Sequence, residues 1–293
     1  MNKNIVNHDT CKKCLLCIEV CPVNMIAVDD NSLVNFIAER ENICLECGQC
    51  MAVCTTESIK IKKYSYEENF YPLPKQSINY DVFTDFIAAR RSIRNFKDKA
   101  VSRETLEQII ESLRYAPYGA SPDKVELMVI NRRETIERAL PLTEQFLDDI
   151  IKWIDSPVVS RIIKHKKGLE TFNTIKNHLY PMSKLENYKL KYGDRITRGA
   201  PAMIILHADP GAEEHTNNAL IYATYLMLTI HAMGLGCTMN GIIPAAVNKV
   251  KAIRDIFKIP EDHEAVISIM LGYPKYKYQK AVKREHKIIN WVS

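Results

Sequence analysis

The chain has 293 residues, 46% hydrophobic and 26% charged, with a formal net charge of +5, a composition that fits a packed globular protein and excludes wholesale disorder. No apolar run reaches the roughly 18–20 residues a membrane span needs, and Met1 to Thr10 is polar, without the apolar centre of a signal peptide. The expected location is therefore the cytoplasm, where thiols stay reduced, so the nine cysteines need a reading other than disulfides.

Eight of those cysteines lie between positions 11 and 54, as Cys11, Cys14, Cys17, Cys21 and Cys44, Cys47, Cys50, Cys54. Both runs have the spacing C-x2-C-x2-C-x3-C, and the second repeats the first at an offset of 33. This is an internal duplication. Val23 to Val28 and Thr55 to Ile61, which follow the two runs, read as short strands. Three closely spaced thiolates grip three irons of one cubane, and the fourth cysteine, offset by three, serves the other cluster. On that rule Cys11, Cys14, Cys17 and Cys54 hold one [4Fe–4S] cluster, and Cys44, Cys47, Cys50 and Cys21 the other. Zinc is the competing reading of C-x2-C pairs, but zinc modules separate their pairs by a dozen or more residues, whereas four cysteines crowd together here, twice. Residues 8–62 resemble the bacterial two-cluster ferredoxins, except that Thr55 stands where a proline is usual.

From Lys62 to about Tyr80 the sequence is polar, aromatic and proline-containing, and reads as an extended connector. From Asp81, apolar residues recur at helical intervals (Val82, Phe83, Phe86, Ile87). A second helix starts at the N-cap Ser102 with Glu104 in its first turn, and carries the stripe Leu106, Ile109, Ile110, Leu113. Val125 to Ile130, Ala202 to His207 and Ala265 to Leu271 read as strands. Asn218 to Met233 reads as a helix apolar on nearly every side, buried in a core or against a partner subunit. The span 142–198, with a helix over Phe146 to Ile154, reads either as a helical cap over an active site or as a peripheral helical excursion. The expected fold is α+β: a ferredoxin-like domain over 1–62, a linker over 63–80, and a domain over 81–293 in which helices wrap a sheet.

Four further segments carry a second resemblance: Arg90-Arg91-Ser92-Ile93-Arg94-Asn95-Phe96, Tyr115-Ala116-Pro117-Tyr118-Gly119-Ala120-Ser121, Gly199-Ala200-Pro201 and Gly234-Leu235-Gly236-Cys237. Together with the closing Gly272-Tyr273-Pro274 and a basic tail reaching Trp291, they resemble, in order, the nitroreductase family of FMN enzymes over about residues 80–293. The whole chain thus resembles a ferredoxin–nitroreductase fusion. Arginine offers a rigid fork of donors to a phosphate dianion, and a serine adds a hydroxyl. The resemblance implies FMN contacts by Arg90, Arg91, Ser92 and Arg94, by Gly119 and Ser121, by Met239, Asn240 and Gly241, and by Lys283 and Arg284 from the tail. The family often has Asn at the position of Ser121 and Gln at that of Asp123; a serine still donates and accepts a bond, whereas an aspartate would need a donor or a proton. Cys237 reads as a small buried residue rather than a catalytic thiol. The Gly-Leu-Gly-Cys turn is not a dinucleotide fingerprint, because Met239 stands where the third glycine belongs.

The charge is unevenly spread: residues 1–62 carry −2 and the remainder +7. A basic body suits an acidic redox partner or a phosphate-bearing cofactor. The resemblance implies an FMN-dependent nitroreductase-type oxidoreductase that passes electrons from two [4Fe–4S] clusters to FMN and on to a small conjugated acceptor, a nitroaromatic, a quinone or similar. It implies no catalytic acid or base, an external ferredoxin or NAD(P)H as donor, and a homodimer. No nucleic-acid motif accompanies the dispersed basic residues. A non-catalytic electron carrier or redox-responsive module, or a flavin reductase supplying a separate enzyme, are the competing readings.

Overall fold

The computed structural model describes residues 4–119, 124–285 and 289–292, and the chain divides into two units, Met1–Ile78 and Asn79–Ser293.

In the first unit two short antiparallel pairs frame the cysteine runs. β1 (Ile5–Val6) pairs with β4 (Ile59–Lys60), and β2 (Ile26–Val28) with β3 (Val34–Phe36). Left-handed Leu15 (φ 63°) opens α1 (Leu16–Glu19), and left-handed Gly48 (φ 73°) opens α2 (Gln49–Ala52). Lys13 and Glu46 (φ 52° and 49°), and Asn24 and Glu57 (φ 51° and 52°), are further left-handed pairs, and each pair is separated by the 33 residues of the cysteine repeat. The duplication is therefore one of backbone geometry as well as of thiols. Left-handed residues turn successive N–H groups towards one concavity, the arrangement that receives an anionic group. Thr55 leaves the turn unchanged: Glu57 N–H donates to the Cys54 carbonyl at 3.3 Å, as Asn24 N–H does to that of Cys21 at 3.2 Å. Met25, Ile26, Val34, Met51, Ile59 and Ile61 form the core of this unit. Tyr64, Tyr66 and Phe70, flanking and within the short α3 (Tyr66–Asn69), pack against it, and the Tyr66 hydroxyl donates to the Ile59 carbonyl at 2.9 Å.

The second unit is built on an antiparallel sheet in the order β5 (Val125–Ile130), β6 (Ala202–Ala208), β8 (Glu264–Gly272), β7 (Gly236–Asn240). Every residue of β6 is buried, so both faces of the sheet are covered. Side chains alternate between faces along a strand. Met203 and Ile205 accordingly face one core with Met270, and Ile204 and Leu206 the other with Ile269 and Leu271. The first core is closed by α6 (Arg133–Asp155), α10 (Ile242–Val247) and α11 (Lys251–Phe257). The second is closed by α5 (Arg103–Glu111), which Ser102 caps through its hydroxyl, and α9 (His215–Ala232). Ahead of these, α4 (Tyr80–Ala89) is capped by Asn79.

The three expected strands and the first two helices lie where the sequence places them. Two elements differ. β7 occupies residues that read as a glycine turn, because pairing with β8 outweighs the weak strand propensity of Gly236. The helix expected over Phe146 to Ile154 runs instead from Arg133 to Asp155, through Pro141. Its buried stripe of Ile136, Ala139, Leu140, Thr143, Phe146, Leu147 and Ile150 continues across the proline, and this packing outweighs the lost backbone bond. The rest of 142–198 is helical or turned, with α7 (Pro157–Thr174) kinked at Gly168 (φ 83°) and α8 at Tyr180–Ser183. The loop entering β6 is pinned by Asp194. Its carboxylate accepts from Thr197 N–H at 2.7 Å, Gly199 N–H and Arg133 at 2.9 Å each, and the Thr197 hydroxyl. Among the described residues no helix is long and apolar enough to cross a membrane.

Candidate functional site

The eight clustered cysteines line two separate hollows of the first unit. One is bounded by Cys11, Cys14, Cys17 and Cys54 against Val6, Val34 and Ile59; the other by Cys44, Cys47, Cys50 and Cys21 against Met25, Ile26 and Phe36. This is the crossed partition that the spacing predicts. The crossing cysteines are held alike: Met25 N–H donates to Cys21 Sγ at 3.2 Å and Ser58 N–H to Cys54 Sγ at 3.3 Å. Burial raises the pKa of the Cys17, Cys44 and Cys50 thiols, Cys50 to about 12. Burial also acts upward on Cys54, but bonds from the Thr56 hydroxyl and from the N–H groups of Thr56, Ser58 and Ile59 outweigh it and leave the thiol lowered. Four thiols per hollow, apolar walls and inward N–H groups fit a [4Fe–4S] cluster, whose assembly displaces the thiol protons.

In the second unit the basic segment that follows α4 is laid along the edge of the sheet. Ser92 bridges to Cys237 and Phe96 to Pro274; Ile93 N–H donates to the Cys237 carbonyl at 2.9 Å, and Lys97 N–H to the Tyr273 carbonyl at 2.8 Å. Two glycines permit this closeness. A Cβ on Gly236 would lie 2.5 Å from Ile93 Cγ1, and one on Gly272 would lie 2.6 Å from Pro201. The motif segments that are distant in sequence are thus locked to one another by packing.

A cleft of about 570 Å³ opens beside this seam, lined by Arg90, Arg91, Lys97, Lys275 and Lys277 on a floor that includes Gly234 to Cys237. Five cations around one cleft suit a phosphate-bearing ligand. Ile93 and the aromatic residues Tyr273, Tyr276 and Tyr278 supply apolar wall. Cys237 is buried, its thiol pushed up to about 12 by burial against the opposing effect of Arg90, so it is a neutral packing residue.

The structure brings Arg90, Arg91 and Ser92 to this seam. Arg94 is exposed and outside the cleft lining, as are Lys283 and Arg284. Lys97, Lys275 and Lys277 line it instead; the basic tail was the signal for the last two, with the positions shifted. Met239, Asn240 and Gly241 lie towards the far end of β7, so a ligand touching both Cys237 and Gly241 spans about 13 Å of strand. Asn240 is committed internally: its amide donates to the Ile196 carbonyl at 2.9 Å and its oxygen accepts from Ile242 and Ile243 N–H, while its own carbonyl accepts from Ser268. Gly119 is gripped from both sides, its N–H donating to Asn218 Oδ1 at 2.9 Å and its carbonyl accepting from Asn218 Nδ2 at 2.8 Å. Asn218 enters the sequence reading only as the first residue of the apolar helix; its clamp on Gly119 was missed, and the pair of amides Asn217-Asn218 at the head of an otherwise apolar helix was the available signal. Ser121 and Asp123 lie outside the described residues.

The nitroreductase family model matches residues 87–273, and a 4Fe-4S dicluster domain model matches residues 10–59. A protein of Methanothermobacter thermautotrophicus provisionally named NADH dehydrogenase/NAD(P)H nitroreductase is 23% identical over 192 residues, covering 64% of this chain and 75% of the relative. A ferredoxin of Methanothermococcus thermolithotrophicus is 28% identical over 60 residues, 20% of this chain and 95% of that one. Among solved structures, a nitroreductase with bound FMN from Bacteroides fragilis superposes with a TM-score of 0.54 at 18% identity, covering 74% of this chain and 100% of that one, a likeness of fold. The second unit's sheet, its locked motif seam and a family match over well over half the residues agree: the chain belongs to the nitroreductase family and carries a 4Fe-4S dicluster ferredoxin domain ahead of the nitroreductase domain.

Proposed function

We propose that the protein is an iron–sulfur flavoprotein oxidoreductase that takes electrons in at the dicluster domain, collects them on FMN and delivers them to a small conjugated acceptor such as a nitroaromatic or a quinone. The observation that carries this reading is the five-cation cleft at the motif seam, in the same chain as two four-thiol hollows. The clusters supply one-electron steps, and FMN supplies the junction between one-electron and two-electron chemistry. Arg90 and Arg91, half-buried and braced through the Ser92–Cys237 bridge, bind and orient the phosphate with Lys97, Lys275 and Lys277. The apolar wall limits water near the ring. Among the residues that line the cleft none is cast as a nucleophile, and the neutral Cys237 thiol is not one. FMN reaches this chain through its family and through the bound FMN of the Bacteroides fragilis structure. A homodimer accounts for the open apolar faces of α4 and α9, where Phe83 is 47% and Leu220 42% exposed in the single chain. An external ferredoxin is the electron source in this reading; NAD(P)H, a hydride donor, would deliver to the flavin directly and is the alternative.

Anaerobic purification with iron, sulfide and flavin measured together tests the cofactor content. Stopped-flow reduction then tests the route. With reduced ferredoxin as donor the clusters bleach before the flavin. If NAD(P)H reduces the flavin while the clusters stay oxidised, the entry port is misassigned; if no flavin is retained or taken up, the oxidoreductase reading gives way to a carrier.

A further inference from the structure

Three side chains of metal-ligand type converge on the sheet of the second unit, away from its basic cleft. Glu126 of β5 is directly opposite His207 of β6, and His263 immediately precedes β8. Their ligand atoms all lie within 4.8 Å of one another, and the two imidazoles meet Nδ1 to Nδ1 at 2.8 Å. The cleft lies at the Gly272 end of β8, whereas His207 pairs with Ala265, roughly 24 Å along the same strand.

We propose that Glu126, His207 and His263 form a site for one divalent transition-metal ion of the zinc type, independent of the iron–sulfur and flavin sites, which ties β5, β6 and the turn before β8 together.

The geometry carries this in four ways. First, the register between β6 and β8 shifts at Leu206/His207, a bulge at the proposed ligand itself. Bulges re-aim side chains and are retained at functional positions. Second, His207 is only 1% exposed, so an imidazole is buried near the end of an otherwise apolar strand. Third, two facing Nδ1 atoms can hold only one proton between them. When that proton moves to Nε2 of its own ring, both Nδ1 lone pairs face one point and no proton is gained or lost. Tetrahedral zinc with bonds of about 2.05 Å sets its nitrogen ligands about 3.3 Å apart, an opening of roughly half an ångström from the observed pair. Fourth, Glu126 is exposed and makes no ion pair with a described residue, so its carboxylate is available as the third ligand on the side from which an ion enters. Water completes the four. Two imidazoles and one carboxylate select zinc-type ions over calcium and magnesium, which take oxygen ligands. The nearby cation, Arg254, is committed to the main chain: it donates to the His263 carbonyl at 2.7 Å and to the Pro260 carbonyl, fixing the turn that presents His263.

The test uses the full chain with its iron and sulfide content measured. Zinc is added, excess is removed by desalting, and bound zinc is counted. The wild-type protein should retain one zinc per chain, His263→Ala should retain none, and Glu126→Gln, a surface change that leaves the fold intact, should lower the occupancy. Iron and sulfide should be equal in all three, which separates this site from vacated cysteine hollows. Zinc should also raise the melting temperature of the wild type and leave that of His263→Ala unchanged. Absence of zinc from the wild type, or equal zinc in all three proteins, overturns the proposal. Should His263→Ala fail to fold, the comparison of wild type with Glu126→Gln decides alone.

Discussion

Replacing Asn218 by alanine should loosen the Gly119 loop and leave the sheet intact. Asn218 is 1% exposed, and both ends of its amide are spent on the main chain of Gly119, at 2.9 Å and 2.8 Å. Each such bond contributes about 1 kcal/mol net, so the variant should lose about 2 kcal/mol. Gly119 is only half-buried, so water replaces part of what is lost, and the figure does not reach the larger penalty of a fully buried orphan. For a unit of this size that is a fall of roughly 4–8 °C in melting temperature. Locally, the Gly119 amide should exchange about 30-fold faster, the factor that 2 kcal/mol represents. Residue-resolved hydrogen exchange, or the difference between overlapping peptides ending at Tyr118 and at Gly119, reads that amide. Asn218→Asp keeps the acceptor for Gly119 N–H but sets an oxygen against the Gly119 carbonyl, so it should be at least as damaging as alanine. If the alanine variant exchanges at the wild-type rate and melts within about 1 °C of it, the clamp does not hold the loop and the reasoning fails. If the loop serves FMN, flavin retention should fall in parallel.

Gly236→Ala would put a methyl 2.5 Å from Ile93 Cγ1 and should unseat the basic segment, costing about 1–3 kcal/mol by overpacking and releasing flavin on gel filtration. Cys21→Ser should abolish one cluster only, that of Cys44, Cys47 and Cys50; adding Cys47→Ser should then cost no further iron, whereas adding Cys14→Ser should remove the second cluster, as counted by iron and sulfide analysis. The carboxyl of Asp194 is raised by burial but lowered further by Thr197, Gly199 and Arg133, so its folded pKa lies below the ordinary carboxylate value. Its contribution is complete above that ordinary value and lost as pH falls through the depressed one; urea midpoints followed by the fluorescence of Trp153 and Trp291 should fall on the acid side for wild type and flatten in Asp194→Asn. Thr56→Val removes the hydroxyl beside Cys54 Sγ and should lower one cluster potential while sparing the other in an EPR-monitored titration; equal movement of both would contradict the assignment of Cys54 to a single hollow.

What the sequence made legible follows from where the chemistry is local. The cysteine spacing encodes the cluster hollows, because the turns that aim the thiols lie within the same few residues as the thiols. The strands Val125–Ile130 and Ala265–Leu271 were legible as apolar runs. β7 was not, since its strand character comes from pairing with β8 and not from Gly-Cys-Thr-Met-Asn itself. Nor was the identity of the further lysines that line the cleft: Lys275 and Lys277 are brought in by the Phe96–Pro274 bridge, a tertiary contact no local pattern announces. The helix expected over Phe146 to Ile154 begins thirteen residues earlier, and the continuous buried stripe on both sides of Pro141 explains why it runs through the proline. Glu126, His207 and His263 are separated by 81 and 56 residues and fall together only once β5, β6 and β8 are in register.

The duplication in the first unit separates what holding a cluster requires from what tunes it. Both halves keep the left-handed residues 13/46, 15/48 and 24/57 and the amide bonded to the crossing cysteine, because those set where thiols and N–H groups point. What differs is the polarity of the wall. Thr10, Thr56 and Ser58 form a hydroxyl chain, at 2.8 Å and 2.7 Å, that ends on Cys54 Sγ at 3.6 Å. Their counterparts 33 residues away are Ile43, Val23 and Met25, which cannot donate a comparable bond. A donor to a ligand sulfur favours the more negative, reduced state and raises the potential. A cluster held in the Cys11, Cys14, Cys17, Cys54 hollow would then have the higher potential of the two. The two hollows thus differ in three hydroxyls while the ligands themselves are alike, and such a difference would give a pair of clusters an order that two identical hollows would lack.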